Sequence, residues 1–381
     1  MSLLLAPYND SMRLGMGFNS YTQTLCIDKA VDVQRPKSVR AENPSQVVTY
    51  SSKIVEHLSE VVSSLNVSHC LSIRKGTVEI AGNGDNINED KIKSSDLNAV
   101  VSVKVVNQTV VAEDDAQFRP MGGVIPGTQR FNDSFGDCYV SGFITGGEFN
   151  GIISMRVLDR SKVANVTTGI KRGLRSAKGA TEFTLDMDSS SSQSINSELL
   201  KDTETTITVS WMGGGQVKAP QTPWTMEAVY AAADAFPLLV SKCPQKTWAI
   251  LTKYKANRSF VDYSRAISFS PLEYDLVADF TSSLFDNYME YKQLIKSVQD
   301  MMINPQNYKR RSQISKNYDD FLTLDVDVLV AVRSAFRIEM NKIVQTVDIL
   351  SKDPHVLKTS GKLTAEPTNE SVLKIIRKAT G

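Results

Sequence analysis

The chain has 381 residues, 41% hydrophobic and 22% charged, enough apolar material for a sizeable core and a length that favours more than one domain. Its 43 Lys and Arg against 42 Asp and Glu leave a net charge of +1, which lacks the cationic footprint of a dedicated nucleic-acid binder. The longest stretch free of Asp, Glu, Lys and Arg is residues 14–27, 14 residues, whereas a bilayer-crossing helix needs roughly 20 apolar ones, so no spanning helix is expected.

The N-terminal residues Met-Ser-Leu-Leu-Leu-Ala-Pro carry no basic segment ahead of the apolar run, so synthesis without a signal peptide and a cytoplasmic default are expected, with membrane association or release on activation. Cys26, Cys70, Cys138 and Cys243 are widely spaced with no Cys-x-x-Cys pair, which predicts reduced, mostly buried thiols rather than a disulfide scaffold or a zinc site. In chain order, residues 1–50 read as short strands and turns, punctuated by Gly15, Gly17, Pro36 and Pro44. Over 51–65, Ile54, Val55, Leu58, Val61, Val62 and Leu65 recur at spacings of three and four and predict an amphipathic helix. Residues 67–80 and 99–111 read as strands separated by a polar stretch rich in Gly, Asn and Asp. Residues 135–157 are the most strand-rich part of the chain. Glycine weakens a strand interior, so Gly142, Gly146, Gly147 and Gly151 predict sharp bending or the close approach of another backbone.

A second excursion spans 158–203, and residues 204–211 then alternate Ile207, Val209 and Trp211 with Thr206, Thr208 and Ser210, a half-buried antiparallel strand ending at Gly213, Gly214 and Gly215. A helix follows Thr222-Pro223 and stops at Pro237, and a strand covers 247–254. Ser270-Pro271-Leu272-Glu273 combines a capping box with proline at the first helical position and predicts a long helix to Pro305. A second, from about Asn317 to Leu350, makes an antiparallel pair with it, and the tail after Pro354 reads as loosely ordered.

Catalytic patterns are missing: the sequence holds no Gly-x-Ser-x-Gly, Walker A or His-Glu-x-x-His, and His57, His69 and His355 are isolated. No enzyme activity, no metal and no cofactor are expected. The excursion 158–203 is the more suggestive feature. It sets Arg160, Lys162, Lys171, Arg172, Arg175 and Lys178 among Val163, Val166, Ile170 and Leu174 at helical spacing, and then alternates Phe183, Leu185 and Met187 with acidic and polar residues. Two readings stay open. A solvated amphipathic helix followed by a serine-rich loop is the plainer one on composition alone. A strand of a membrane barrel, with one apolar and one wet face and cations at anionic headgroups, is the other.

The order of these parts resembles the membrane-attack-complex/perforin and cholesterol-dependent cytolysin superfamily, and within it the stonefish-toxin branch. Phe135-Gly136-Asp137-Cys138-Tyr139 stands where that family has Tyr/Trp-Gly-Thr-His-Phe/Tyr, departing from it at Asp137-Cys138. Gly146, Gly147 and Gly213–Gly215 stand where its bent strands carry glycines, and Ala6-Pro7-Tyr8, Leu14-Gly15-Met16, Pro223-Trp224 and Lys246-Thr-Trp248 extend the likeness over residues 3–260. No counterpart of the thioredoxin-like and SPRY modules of the fish toxins, or of the Trp-rich domain of the cholesterol-dependent members, is expected within these 381 residues.

The resemblance implies an α+β fold: a bent, twisted four-stranded antiparallel sheet flanked by helical clusters, with a C-terminal long-helix pair. The expected domains are 1–268, a helical hairpin region 269–352 and a tail 353–381. The implied activity is that of a soluble monomer which oligomerises and inserts β-hairpins, about 76–99 and 158–203, into bilayers in a toxin or defence role. The alternative is a non-lytic interaction or structural protein on the same scaffold. The membrane-inserting candidates are Val78, Ile80, Val163, Val166, Ile170, Leu174, Phe183, Leu185 and Met187. Arg160, Lys162, Lys171, Arg172, Arg175 and Lys178 are the headgroup candidates, Gly146, Gly147, Gly213, Gly214 and Gly215 bend the sheet, and Phe135, Gly136 and Tyr139 form the signature. The implied partners are a lipid membrane, anionic in the first instance, and further copies in a ring or arc, with or without a second protein component.

Overall fold

Strands form where β-branched and aromatic residues alternate with small or polar ones, and helices where apolar residues recur every three or four. The computed structural model describes residues 4–33, 46–80, 82–84, 87–111, 116–168, 203–308 and 325–358. Its elements are β1 (Leu4–Pro7), β2 (Gly17–Asn19), β3 (Thr24–Leu25), β4 (Val31–Asp32), β5 (Val47–Val55), α1 (Leu58–Ser64), α2 (His69–Lys75), β6 (Asn83–Gly84), α3 (Glu89–Ser94), β7 (Leu97–Val111), β8 (Gln117–Phe118), α4 (Gln129–Phe135), β9 (Cys138–Val157), β10 (Thr203–Met212), α5 (Met226–Lys242), β11 (Gln245–Lys253), α6 (Arg258–Ser264), α7 (Ala278–Ile303) and α8 (Val326–Lys352). They fall into two units: Met1–Ser68 with Thr77–Pro271, and His69–Gly76 with Leu272–Gly381.

The first unit is built on β9, a strand of 20 residues. β7 pairs antiparallel along one edge of it and carries β5 on its own outer edge. The other edge is shared end to end: β11 lies opposite Cys138–Gly146 and β10 opposite Glu148–Val157, both antiparallel to β9. The result is four rows, β5, β7, β9 and the pair β10 and β11, with β1 added outside β11. Register shifts at Val106/Gln108 in β7 and at Lys246/Trp248 and Ile250/Leu251 in β11 are the bulges that curve such a sheet. The chain between β10 and β11 folds back as α5, which begins at Thr225, whose hydroxyl accepts from the Ala228 amide at 3.2 Å. Its buried Val229, Tyr230, Ala233, Phe236 and Val240 pack with Val101, Val103 and Val105 of β7, Phe149 and Ile153 of β9 and Val209 of β10. A separate aromatic cluster, Phe118, Phe131, Phe135, Tyr139, Tyr254 and Phe260, joins α4 and α6 to the start of β9.

In the second unit α7 and α8 run antiparallel: Tyr274, just before α7, donates its hydroxyl to the Ser351 carbonyl at 2.6 Å, while the rings of Tyr291 and Phe336 lie 5.8 Å apart. α2 joins them, with His69 against Phe285 at 5.4 Å and Arg74 Nε donating to Asp348 at 2.8 Å.

Several expectations from the sequence change. The helix expected over 51–65 is a strand to Val55 and a helix only from Leu58; the apparent spacing straddles the turn at Glu56-His57, whose two amides donate to the Glu60 carboxylate at 3.1 Å. The strand expected over 67–80 is instead helix α2, in which Cys70 and Ile73 share the buried face, stopped by Gly76 at φ +72. Pro237 does not end its helix, because Phe236 and Val240 on either side are both held in the core and the helix continues to Lys242. The long helix expected from Pro271 starts at Ala278, after a 3-10 turn that buries Tyr274 and Val277. The second starts at Val326, where Asp325 caps the amides of Asp327 and Val328; the expected start at Asn317 lies outside the described residues.

Candidate functional site

A strand sends alternate side chains to opposite faces, so the register assigns each row of residues to one face of the sheet. One face reads Tyr50–Val103–Phe149–Trp211, Ser52–Val101–Gly151–Val209 and Ile54–Ala99–Ile153–Ile207. The other reads Thr49–Lys104–Glu148–Met212, Ser51–Ser102–Asn150–Ser210, Lys53–Val100–Ile152–Thr208 and Val55–Asn98–Ser154–Thr206. The first face is apolar and closed by α5. The second is largely polar, yet Asn98, Ser102, Asn150, Ser154, Thr208 and Ser210 are buried there. What lies over it belongs to the first excursion: Leu65 and Ile80 line a pocket together with Glu148, Asn150 and Ser210, and the Asn98 amide donates to the Ile92 carbonyl at 2.9 Å. Ser102 Oγ, Glu148 Oε1, Asn150 Oδ1 and Asn98 Oδ1 are buried without a hydrogen-bond partner among the described residues, an arrangement that costs free energy.

Glu148 is the carboxylate in the rows of this face, which also carry Lys104 and Lys53. Burial pushes its carboxyl up to about 7, against which Lys104 and Asn150 pull down; Lys104 Nζ stands 3.8 Å from Oε1. Neither Glu148 nor Lys104 was singled out from the sequence. The available signal was a carboxylate directly after Gly146-Gly147, the one acidic residue of the strand.

Both excursions leave from the same end of the sheet. β5 ends at Val55 opposite Asn98 near the start of β7, and β9 ends at Val157 opposite Thr203 at the start of β10. The first excursion is therefore residues 56–96, longer than the 76–99 expected. Its ends are tied down: the Val157 amide donates to Asp96 Oδ2 at 2.8 Å, and Lys91 on α3 pairs with Glu204 on β10 at 2.8 Å.

The inserting candidates that can be placed are hidden. Val78 is buried, its amide donating to Glu89 at 2.8 Å, and Ile80 lines the pocket. Val166 is buried and Val163 half-buried in the apolar core beside Met155 and Val157. Of the cations, Lys162 is exposed and stands 3.8 Å from Asp159, and Arg160 begins the 3-10 turn Arg160–Lys162. Ile170, Leu174, Phe183, Leu185, Met187, Lys171, Arg172, Arg175 and Lys178 lie outside the described residues.

The glycines gather where the fourth row changes from β10 to β11. A Cβ on Gly146 would stand 1.9 Å from the Val105 carbonyl oxygen, and one on Gly147 would stand 2.3 Å from Val240 of α5, so both positions exclude a side chain. Gly213, Gly214 and Gly215 all have positive φ and turn the chain away from β9 towards α5. The signature residues form a clasp rather than a reactive group. Phe135 stacks on Phe131 at 4.8 Å, its carbonyl accepts the Tyr254 hydroxyl at 3.0 Å, and the Tyr139 and Tyr254 rings lie 5.7 Å apart. Gly136 has φ +73, with the Phe18 carbonyl 2.1 Å from where a Cβ would be. Asp137 is buried and accepts from the Ser20 amide at 2.7 Å and hydroxyl at 2.6 Å. Burial raises its carboxyl, and the Ser20 bonds oppose the rise. Burial likewise pushes the Cys138 thiol well up, so it is no nucleophile. Phe18 and Ser20, the other half of the clasp, carry no motif.

No described helix is long and apolar enough to cross a membrane. No family model matches the chain. No curated protein matches it either. Among solved structures the chain is similar to stonustoxin, at 9% identity and a TM-score of 0.44 over 99% of this chain and 45% of that one. It is also similar to the sugar-binding protein pneumolysin, at 11% identity and 0.32 over 56% and 41%, and to a cell-invasion protein with a MAC/Perforin domain from Bacteroides thetaiotaomicron, at 10% identity and 0.26 over 75% and 64%. This chain thus spans under half the length of the stonustoxin and pneumolysin chains it matches. The chain is an α+β protein with a curved antiparallel sheet.

Proposed function

We propose that the protein perforates membranes, associating with copies of itself and converting the excursions 56–96 and 158–202 into neighbouring β-hairpins that continue the four rows of the sheet through a bilayer. The observation that carries this reading is the register: two excursions leave one end of one sheet between adjacent, aligned rows, so that straightening them lengthens strands that already exist. Each arm would have about 20 residues, and a tilted membrane strand needs roughly 9–11. Extended strands in lipid require every backbone group to be paired, so the rows must close with those of other copies. The sheet already has the two-sided chemistry of a barrel wall, apolar rows on one face and polar rows on the other. Arg160, Lys162, Lys171, Arg172, Arg175 and Lys178 supply attraction to anionic headgroups, each worth about 1 kcal/mol near the surface. Releasing the first excursion requires α2 to leave α7 and α8, breaking the Arg74–Asp348 pair and the His69–Phe285 contact.

The test is dye release from anionic and zwitterionic vesicles, with electron microscopy of the treated membranes. The K91C/E204C double variant, whose positions hold the Lys91–Glu204 pair, is assayed before and after closure by a short thiol-reactive cross-linker. Leakage and rings from the open form, and neither from the cross-linked form, are expected. Leakage that the cross-link does not change overturns the hairpin conversion. A monomer that leaks no dye from any vesicle overturns perforation and favours the non-lytic interaction protein.

A further inference from the structure

Glu148 stands immediately beyond Gly147, where the sheet bends, and its Oε1 is buried with no hydrogen-bond partner among the described residues. The elements around it differ sharply in charge. From β7 comes Lys104, 3.8 Å away and lying over the Trp248 ring at 5.3 Å. β9 contributes Asn150, β10 Ser210 and Met212, β11 Thr247, and the first excursion Leu65 and Ile80, none of which titrates. The carboxyl thus has one cation, at a distance longer than a hydrogen bond, and a cover that is apolar. Lys104, by contrast, keeps an aromatic face whether or not Glu148 is charged.

We propose that Glu148 is a proton-linked latch: it is held as the neutral acid while the first excursion covers the polar face, and ionises when that cover lifts and water reaches it. Burial sets the covered carboxyl at about 7 against 4.5 in water. The covered state therefore binds the proton more tightly. Its advantage is complete below about pH 4.5 and is lost as pH rises to about 7, so acid keeps the face closed and neutral pH permits it to open. One proton gives about a tenfold rise in the open-to-covered ratio per pH unit across that window, about 300-fold in all, and a plateau above it. The latch operates in the free protein and stands or falls separately from membrane perforation.

Ser102→Cys places a thiol on the same buried face, in a position whose hydroxyl has no partner to lose. Its labelling by a water-soluble maleimide is followed by peptide mass spectrometry in the full chain, without lipid, from pH 5 to 8.5, alone and combined with Glu148→Gln. The ratio of the two rates at each pH cancels the thiol's own ionisation. That ratio is expected to climb about tenfold per unit up to about pH 7 and then level off. A ratio that does not change with pH overturns the latch. Lys104→Met on the Ser102→Cys background gives a second reading that does not need the Gln variant to fold. Removing the cation makes ionisation harder and moves the plateau to higher pH, whereas a plateau that stays in place overturns the assignment.

Discussion

The two faces of the sheet use the same strands and are both covered, yet they are covered by opposite means. On one, Phe149, Ile153, Val101 and Val103 interlock with Phe236, Val229 and Val240 of α5, a helix inserted between two strands of the same row. On the other, Asn150 and Glu148 share a pocket with Leu65 and Ile80, and polar atoms of Ser102, Asn150 and Glu148 are buried unpaired among the described residues. Apolar interdigitation is lost only by opening a cavity, whereas an unpaired buried polar atom gains from meeting water. The difference teaches which side of the sheet is fixed and which is poised: α5 is part of the scaffold, whereas the first excursion buries its own Val61, Val62 and Ile73 yet leaves polar atoms of the sheet unpaired beneath it.

The largest effect that sharpens this contrast is Phe149→Ala. The ring is fully buried, 5.7 Å from Phe236 and 6.2 Å from Trp224, and its removal is expected to cost about 3–5 kcal/mol by urea denaturation. A loss below about 1 kcal/mol would mean that α5 is not the fixed side. Gly147→Ala comes next. Its Cβ would stand 2.3 Å from Val240 and 3.0 Å from Phe236, forcing α5 away from the bend at about 1–3 kcal/mol, measured in the same way. If Gly147→Ala were neutral, the close seat of the helix on the bend would be refuted.

How much of this was legible in the sequence follows the same division. β10 could be read from the alternation of Ile207, Val209 and Trp211, and β9 from its density of β-branched and aromatic residues, because those patterns are imposed by an apolar face. α5 and the two long helices could be read for the same reason, although their ends could not: tertiary contacts of Phe236 and Val240 override Pro237, and buried Tyr274 overrides the start signals at Ser270-Pro271. The polar face was illegible. Val47–Val55 alternates exposed and half-buried positions only as far as Ser52, so it was hidden behind the helical spacing of Ile54, Val55 and Leu58, and the first excursion was measured from the wrong end. Glu148 and Lys104 meet only through pairing between strands more than forty residues apart, which no local pattern encodes. The bending glycines were legible as glycines, but the partners that require them, Val105 and Val240, were not.

The smallest expected effect is the most discriminating. Ser102 lies in the row Ser51–Ser102–Asn150–Ser210, is buried, and offers a hydroxyl that no described group receives or donates to. Removing a buried hydroxyl normally costs about 1 kcal/mol when it breaks a hydrogen bond, but here the desolvation penalty is removed with nothing lost in return. Ser102→Ala is therefore expected to leave urea stability within about 0.5 kcal/mol of wild type or to raise it, against the large loss at Phe149 one row away on the opposite face. The same change should slow labelling of a thiol introduced at Asn150, since an apolar methyl directly opposite it in the register gives water less reason to enter. A stability loss above about 1 kcal/mol would show that the hydroxyl is engaged after all, and the face would then be a satisfied polar network, rigid rather than poised.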